Sequence, residues 1–97
     1  MLDPLNLIRR SRDKIFDLAV KHGASNIRIF GSVARGDYSE GSDIDFLVDF
    51  KPGVGLLEWS AFWLDLEDLL GCDIDVATEK SLKKRYREKV MKEARPI

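Results

Sequence analysis

The chain has 97 residues, of which 44% are hydrophobic and 34% are charged, and its formal net charge at pH 7 is −1. This composition predicts one small globular domain over residues 1–97, without internal repeats or low-complexity segments. No apolar run approaches the roughly 20 residues that span a bilayer, and the N-terminal stretch lacks the apolar core of a signal peptide. The single cysteine, Cys72, cannot form an internal disulfide, so a cytoplasmic protein without membrane contact is expected.

The charges are unevenly distributed along the chain. Eleven acidic residues and a single base, Lys51, lie between Asp37 and Asp75, whereas eight bases lie between Lys80 and Arg95. The acidic centre would repel nucleotides and nucleic acids unless metal ions intervene, which disfavours direct nucleic-acid binding. The basic segment is most simply a solvated helix face, although a polyanion or an acidic partner protein could also bind it.

The first predicted element is a helix that has Asp3 as its N-cap, begins at Pro4 and ends before Gly23. Aspartate is a good N-cap, proline is accepted at the first helical position, and glycine suits the residue after a helix end. A positive charge on His22 would be favourable near this helix C-terminus, and a role in packing rather than in chemistry is expected. The side chains at helical spacing, which predict the core face, are Leu5, Ile8, Ile15, Leu18, Ala19 and His22.

Two short strands follow, separated by a turn and a polar loop. The strand Ile27 to Phe30 leads into Gly31-Ser32 and a brief helix that ends at Gly36, and the second strand runs from Ile44 to Phe50. Alternation along the second strand predicts that one face packs against helices and that the acidic face opens to a cleft. The packed face consists of Ile44, Phe46 and Val48, and the other face of Asp43, Asp45, Leu47 and Asp49.

The second half of the chain predicts a helix over Leu56 to Leu70, a strand over Asp73 to Ala77, and a last helix capped by Thr78 or Ser81. The order α-β-α-β-α-β-α favours an α/β (α+β) fold with a small mixed three-stranded sheet. Both helices carry an apolar stripe that is expected to face the core, although part of the tryptophan-containing stripe could be open to a partner. On the Leu56 to Leu70 helix the stripe consists of Leu56, Trp59, Phe62, Trp63, Leu66, Leu69 and Leu70. On the last helix it consists of Leu82, Tyr86, Val90 and Ala94.

The predicted chemistry lies in the Gly31-Ser32 turn and the acids after it. Asp43 and Asp45 are two residues apart on a strand, so their carboxylates leave the same face, roughly 6–7 Å apart. Backbone N–H groups at a glycine-containing turn into a helix can cradle an anion. A phosphate ester with bound Mg²⁺ requires such a cradle beside paired carboxylates. A third carboxylate from a neighbouring strand would be Asp75 or Asp73, which share a face.

Other residues near the turn have two possible roles each. Arg35 could contact phosphate or the acceptor, or it could hold the loop together through Asp37. Ser42 could cap its loop or orient the carboxylate pair. A solvated acidic edge is the alternative for Asp43 and Asp45, but two acids on one strand face favour a site that holds a counter-ion.

The ordered set Gly31-Ser32, ten residues, then Asp43-Ile44-Asp45 resembles the signature of the minimal nucleotidyltransferase family, within the superfamily that includes DNA polymerase beta. The similarity extends to Ala34-Arg35-Gly36, to Ser42 and to Ile74-Asp75-Val76, and so covers nearly the whole chain. The resemblance implies a nucleotidyltransferase fold with Asp75 as the third carboxylate. It further implies that the catalytic, metal-binding residues are Asp43, Asp45 and Asp75, and that the nucleotide-binding residues are Gly31, Ser32, Arg35 and Ser42.

The same resemblance implies a function. Minimal nucleotidyltransferases are typically paired with a HEPN-domain toxin, a helical ribonuclease, and act as its antitoxin by attaching AMP from ATP to a toxin tyrosine. Transfer would use ATP as donor and Mg²⁺, with two ions expected. Small-molecule or RNA acceptors fit less well, because enzymes that use them carry extra domains to hold the acceptor. The alternative is a non-catalytic antitoxin that neutralises its partner by stoichiometric binding.

Overall fold

Residues 3–39 and 41–97 are described by a computed structural model and form a mixed α+β fold. No helix among these residues is both long and apolar enough to cross a membrane. The elements in chain order are α1 (Pro4–His22), β1 (Ala24–Phe30), α2 (Gly31–Arg35), β2 (Ile44–Phe50), α3 (Leu56–Leu70), β3 (Ile74–Ala77), a 3-10 turn (Glu79–Ser81), α4 (Lys84–Glu93) and β4 (Arg95–Pro96).

The strands form one mixed sheet in the order β3-β2-β1-β4. β1 is antiparallel to β2 and to β4, whereas β2 and β3 are parallel. The predicted fold class is confirmed, but the predicted count of three strands was one too low. β4 has two residues, one of them a proline, and it pairs only with Arg28 and Ile29 of β1, so it leaves no periodic signal in the sequence.

The two faces of the sheet have different partners. Ile44, Phe46 and Val48 of β2 join the main core, which includes the buried faces of α1 and α3. On the opposite face, Leu47 forms a smaller cluster with residues from β1, β3 and α4. The predicted packing of one face against helices is confirmed, but the acidic face is not simply open, since Leu47 is fully buried there beside α4. Asp45 precedes Leu47 by two residues, so it shares the face that α4 covers.

Helix α1 has the predicted ends. Asp3 accepts a hydrogen bond from the Asn6 N–H at 3.1 Å, Pro4 is the first helical residue, and Gly23 follows with φ +74°. The fully buried side chains of this helix are Ile8, Ile15, Ala19 and His22, all members of the predicted core face.

A charged clamp at His22 joins α1 to α3. The His22 ring is buried, with Nδ1 2.6 Å from Glu58 Oε1 and Nε2 2.6 Å from Asp65 Oδ2. The two ring nitrogens therefore contact carboxylates from two different turns of α3. The role of His22 in this structure is thus to hold two helices together, on the side of the sheet that faces away from Asp45.

The apolar stripe of α3 is only partly buried. Phe62, Leu66 and Leu70 are buried, and the Trp59 indole N–H donates to the Val76 carbonyl at 3.1 Å. Leu56 was predicted to lie in the core but is 77% exposed. It is the first residue of α3, whereas the buried residues all lie in later turns.

The last helix begins later than predicted. Thr78 and Ser81 form a capping box around the short 3-10 turn, and extended backbone at Leu82 separates that turn from α4. Val90 is buried, and Leu82 and Ala94 pack against the same cluster, but Tyr86 is 50% exposed, so the predicted stripe was wrong at Tyr86. Because Leu82 lies outside the helix, its spacing to Tyr86 does not define a common helix face.

Candidate active site

The Gly31-Ser32 turn lies directly beside Asp45. Phe30, the last residue of β1, is the antiparallel partner of Asp45, and α2 begins at the next residue. Gly31 has φ +73°, and a Cβ at this position would overlap with Asp45 Oδ2. Glycine is therefore required here both for the backbone conformation and for the close approach of the carboxylate.

The predicted carboxylates lie on neighbouring strands. Asp45 of β2 is the parallel partner of Asp75 of β3, and Asp43 is an exposed residue just before β2. Asp73 precedes β3 and is also exposed, and its carbonyl accepts the Ile44 N–H at 3.1 Å. The register therefore brings Asp75, and not Asp73, next to Asp45.

The environment of Asp45 disfavours its charge. Partial burial and, after it, the charges of Asp75 and Asp43 together raise the pKa of Asp45 to about 6, whereas Arg35 opposes the shift. Burial disfavours the ionised form of a carboxylate, and neighbouring carboxylates without a cation add to that effect. A bound cation would relieve this repulsion.

The chemistry of these acids fits a hard divalent cation, because carboxylate oxygens are the ligands that Mg²⁺ prefers. Within residues 3–39 and 41–97, however, no three His, Cys, Asp or Glu side chains are arranged to hold a metal ion together. The donor types thus fit the metal, whereas binding would require the carboxylates to turn toward a common point.

Arg35 is held by two carboxylates rather than pointing freely into the site. Its Nε donates to Asp37 at 3.1 Å, and its Nη1 donates to both oxygens of Glu93 at 3.1 and 3.3 Å. Glu93 Oε1 also accepts the Gly31 N–H at 3.0 Å. The pairing with Asp37 is the loop-holding role that was one of the two predicted for Arg35.

Sequence reasoning did not find Glu93. Its partner Gly31 lies 62 residues away, so no local spacing connects them. One signal was available: Glu93 is the last residue of α4, where a negative charge is unfavourable to the helix dipole unless a partner compensates it.

Ser42 closes the loop before β2. Its Oγ accepts the Ser39 N–H at 3.0 Å and lies 3.3 Å from Ser39 Oγ. The hydrogen bonds of Ser42 thus match the predicted capping role, one residue before Asp43.

Residues 12–97 match the family described as nucleotidyltransferase domain, in agreement with the fold and with the arrangement of the site. The chain belongs to the nucleotidyltransferase domain family. It is 39% identical over 90 residues to MJ0435 of Methanocaldococcus jannaschii, a candidate protein adenylyltransferase by name, with 93% of this chain and 94% of that protein covered. It is 38% identical over 77 residues to the protein adenylyltransferase MntA of Thermococcus cleftensis, with 79% and 78% covered.

Solved structures agree with this assignment. A structure described as a candidate minimal nucleotidyltransferase is 44% identical and superposes with a TM-score of 0.85, with 96% of this chain and 95% of that chain covered. The resemblance to minimal nucleotidyltransferases and the prediction of an enzyme of this class are thereby confirmed. A toxin–antitoxin crystal structure with AMP-PNP has a TM-score of 0.72 at 22% identity, with 87% of this chain and 69% of that chain covered, which shows likeness of fold.

Proposed function

We propose that the chain transfers AMP from ATP to a hydroxyl group of a partner protein in the cytoplasm. The observation that carries this proposal is the strand register, which places Asp45 between the Gly31 turn on one side and Asp75 on the other. A triphosphate beside the turn would then lie next to the acids, and an acceptor hydroxyl could approach from the side of Asp75.

The reaction replaces one phosphorus–oxygen bond by another. The acceptor oxygen attacks the α-phosphorus, the bond from that phosphorus to the bridging β-phosphate oxygen breaks, and pyrophosphate leaves with the electron pair. Asp75 is suitably placed to accept the hydroxyl proton. Catalysis of this kind depends mostly on positioning and on stabilisation of negative charge.

Asp43, Asp45 and Asp75 would hold Mg²⁺, of which two ions are expected, and the bound metal would neutralise charge on the triphosphate. The raised pKa of Asp45 agrees with this assignment, because it reflects partial burial of the carboxylate and, after that, the negative charges of Asp75 and Asp43. Ser32 and the backbone of α2 are the proposed contacts of the phosphates. Arg35 and Ser42 would support the loops beside these contacts.

We further propose that the partner is a HEPN-type toxin, that a tyrosine is the acceptor, and that the chain is its antitoxin. Relatives that are named protein adenylyltransferase support this assignment. The likeness of this fold to a chain in a toxin–antitoxin structure also supports it. The surface of α3 is suited to a protein partner, since Leu56, Leu57 and Leu64 are 77%, 89% and 60% exposed.

A non-catalytic antitoxin is the second candidate. Two observations favour it: the described acids do not form a ready metal cluster, and Glu93 binds both the Gly31 N–H and Arg35. Neutralisation by this chain would then be stoichiometric and independent of ATP.

Mass spectrometry of the partner toxin distinguishes the two candidates. The toxin is incubated with the chain, ATP and Mg²⁺, and we expect its mass to increase by one or more AMP units on a tyrosine. Asp43→Asn and Asp45→Asn should abolish this increase. Asp49→Asn is the matched control, because Asp49 lies on the same strand face but is exposed and pairs with Arg28. Neutralisation that persists in all variants without any mass increase would support the non-catalytic candidate.

A further inference from the structure

Glu93 connects both ends of the short helix α2. Its Oε1 accepts the N–H of Gly31, the first residue of α2, at 3.0 Å. Its two oxygens also accept from Nη1 of Arg35, the last residue of α2, at 3.3 and 3.1 Å. The Glu93 side chain is only 15% exposed, and its bond to the Gly31 N–H is partly buried, whereas the Arg35 side chain is 41% exposed.

Helix α2 needs such a partner. It has five residues, far fewer than a helix needs for stability on its own, and its N-cap residue, Phe30, provides no side-chain hydrogen bond. A carboxylate at the helix N-terminus satisfies a backbone N–H and complements the positive end of the dipole. Glu93 therefore acts as a capping group that comes from a distant part of the chain.

Glu93 is itself held firmly by its own helix. Val90, one turn earlier in α4, is buried in the cluster that contains Leu47 of β2. Arg95, just after the helix, donates to the Ala34 carbonyl of α2 at 3.4 Å. The end of α4 is thus fixed to the sheet and to α2 on both sides of Glu93.

The position of the turn decides the shape of the site. The Gly31 backbone is so close to Asp45 Oδ2 that a side chain would not fit between them. A shift of Gly31 would therefore displace either the Asp45 carboxylate or the Ser32 backbone that follows. Both groups belong to the proposed nucleotide site.

We infer that Glu93 is a positioning residue: by binding Gly31 and Arg35 together, it keeps Ser32 and Asp45 directed at one triphosphate. It acts through the turn and does not touch the nucleotide. This inference rests on the proposed function, because it assigns Ser32 and Asp45 to the same substrate.

The test measures AMP-PNP affinity by calorimetry in Mg²⁺ buffer, together with KM for ATP and kcat for AMP transfer to the partner. Glu93→Ala should weaken AMP-PNP binding and raise KM for ATP by about tenfold, the effect of losing one charge-assisted hydrogen bond to the turn. Glu93→Gln keeps one oxygen acceptor and should show a smaller loss. Glu88→Ala is the matched control on the same helix, since Glu88 is exposed and pairs with Lys92 at 3.2 Å on the surface of α4. Far-UV circular dichroism and thermal melting establish that each variant is folded at the assay temperature.

A double variant makes the test specific. Arg35→Ala combined with Glu93→Ala should be no worse than the more damaging single variant, because both residues act through one contact.

An affinity unchanged in both Glu93 variants would overturn the inference. Tighter AMP-PNP binding in Glu93→Ala would also overturn it, since the carboxylate would then be a competitor of phosphate. If Glu93→Ala does not fold, Glu93→Gln decides by the same criteria. A wild-type chain that binds AMP-PNP but transfers nothing would refute the proposed function, while the affinities would still test Glu93.

Discussion

At the scale of single residues, the position and the pKa of Asp45 make it the centre of the proposed site. It is the partner of Phe30 on one side and of Asp75 on the other, and Gly31 leaves the space that its carboxylate occupies. Partial burial, followed by the charges of Asp75 and Asp43, raises its pKa to about 6. Because the ionised form of this carboxylate is disfavoured, a bound cation would stabilise it.

The raised pKa leads to a stability prediction for Asp45→Asn. An acid with a raised folded-state pKa binds its proton more tightly in the folded state, so stability falls as pH rises from about 4 to about 6 and remains lower above that range. In metal-free buffer at pH 7.5, Asp45→Asn should increase the free energy of unfolding by about 1 kcal/mol, with allowance for solvent screening. Urea denaturation from pH 4 to 8 measures this change. We also expect Mg²⁺ to stabilise the wild type, and the variant should lose that stabilisation and show a flatter pH dependence. A loss of stability in Asp45→Asn under these conditions would contradict the account.

Gly31→Ala tests the close approach of the turn to Asp45. The new methyl group would overlap with Asp45 Oδ2, and the backbone would keep an unfavourable φ of +73°. The expected cost is about 2–3 kcal/mol in urea denaturation, together with loss of AMP transfer. Gly53→Ala is the matched control, because Gly53 has φ +90° with no atom within 4 Å of the added carbon. Equal losses of unfolding free energy in the two variants would show that backbone strain alone, and not contact with Asp45, accounts for the need for glycine at position 31.

At the scale of elements, the His22 clamp shows what a helical pattern can and cannot predict. Periodicity placed His22 on the buried face of α1, and the structure confirms that position. Its partners Glu58 and Asp65 lie 36 and 43 residues further along the chain, so the charged contact was not predictable from spacing. The hydrogen bond from His22 lowers the pKa of Asp65, and the stability from this pair should accordingly be lost as pH falls through that lowered value.

Removal of the clamp should be costly. His22→Ala leaves a cavity between α1 and α3 and two carboxylates without their shared donor, so we expect a loss of about 3 kcal/mol in urea denaturation at pH 7. Val20→Ala on the same helix should change stability by less than about 0.5 kcal/mol, since its side chain is 78% exposed. A His22→Ala loss as small as that of the control would contradict the clamp.

The limits of prediction for the other elements have physical causes. Alternation in β2 predicted which side chains share a face, because burial on one face imposes a period of two, but it did not predict that α4 covers part of the acidic face. The start of α4 was mistaken because Thr78 caps a 3-10 turn with the same chemistry that caps an α-helix. Glu93 was missed because it lies 62 residues from Gly31 in the chain, so that no local pattern connects the two. Motif residues that are close in sequence were predictable, whereas the residue that holds their turn in place was not.

At the scale of the whole molecule, the chain presents an acidic site on one side of the sheet and exposed apolar side chains on α3 on the other. Leu57 and Leu64 lie two turns apart on α3, so they project from one face of the helix. An apolar face of this kind on a charged surface is typical of protein contact.

Replacement of Leu57 and Leu64 tests this surface. Leu57→Ser combined with Leu64→Ser should weaken binding to the partner toxin at least about tenfold in calorimetry, since each buried leucine in an interface contributes about 1–2 kcal/mol. Thermal stability of the isolated chain should remain within about 1 °C, because both side chains are already in solvent. Met91→Ser on α4 is the control and should leave partner affinity unchanged. Unaltered affinity in the double variant would place the interface elsewhere.

The central claim is that the Gly31 turn and the three carboxylates bind one nucleotide, and a crystal structure with AMP-PNP and Mg²⁺ tests it most directly. We predict the triphosphate against Ser32 and Mg²⁺ within about 2.0–2.2 Å of oxygens from Asp43 and Asp45. Nucleotide bound away from these carboxylates, or a triphosphate at the turn with no ion between it and Asp45, would contradict the account.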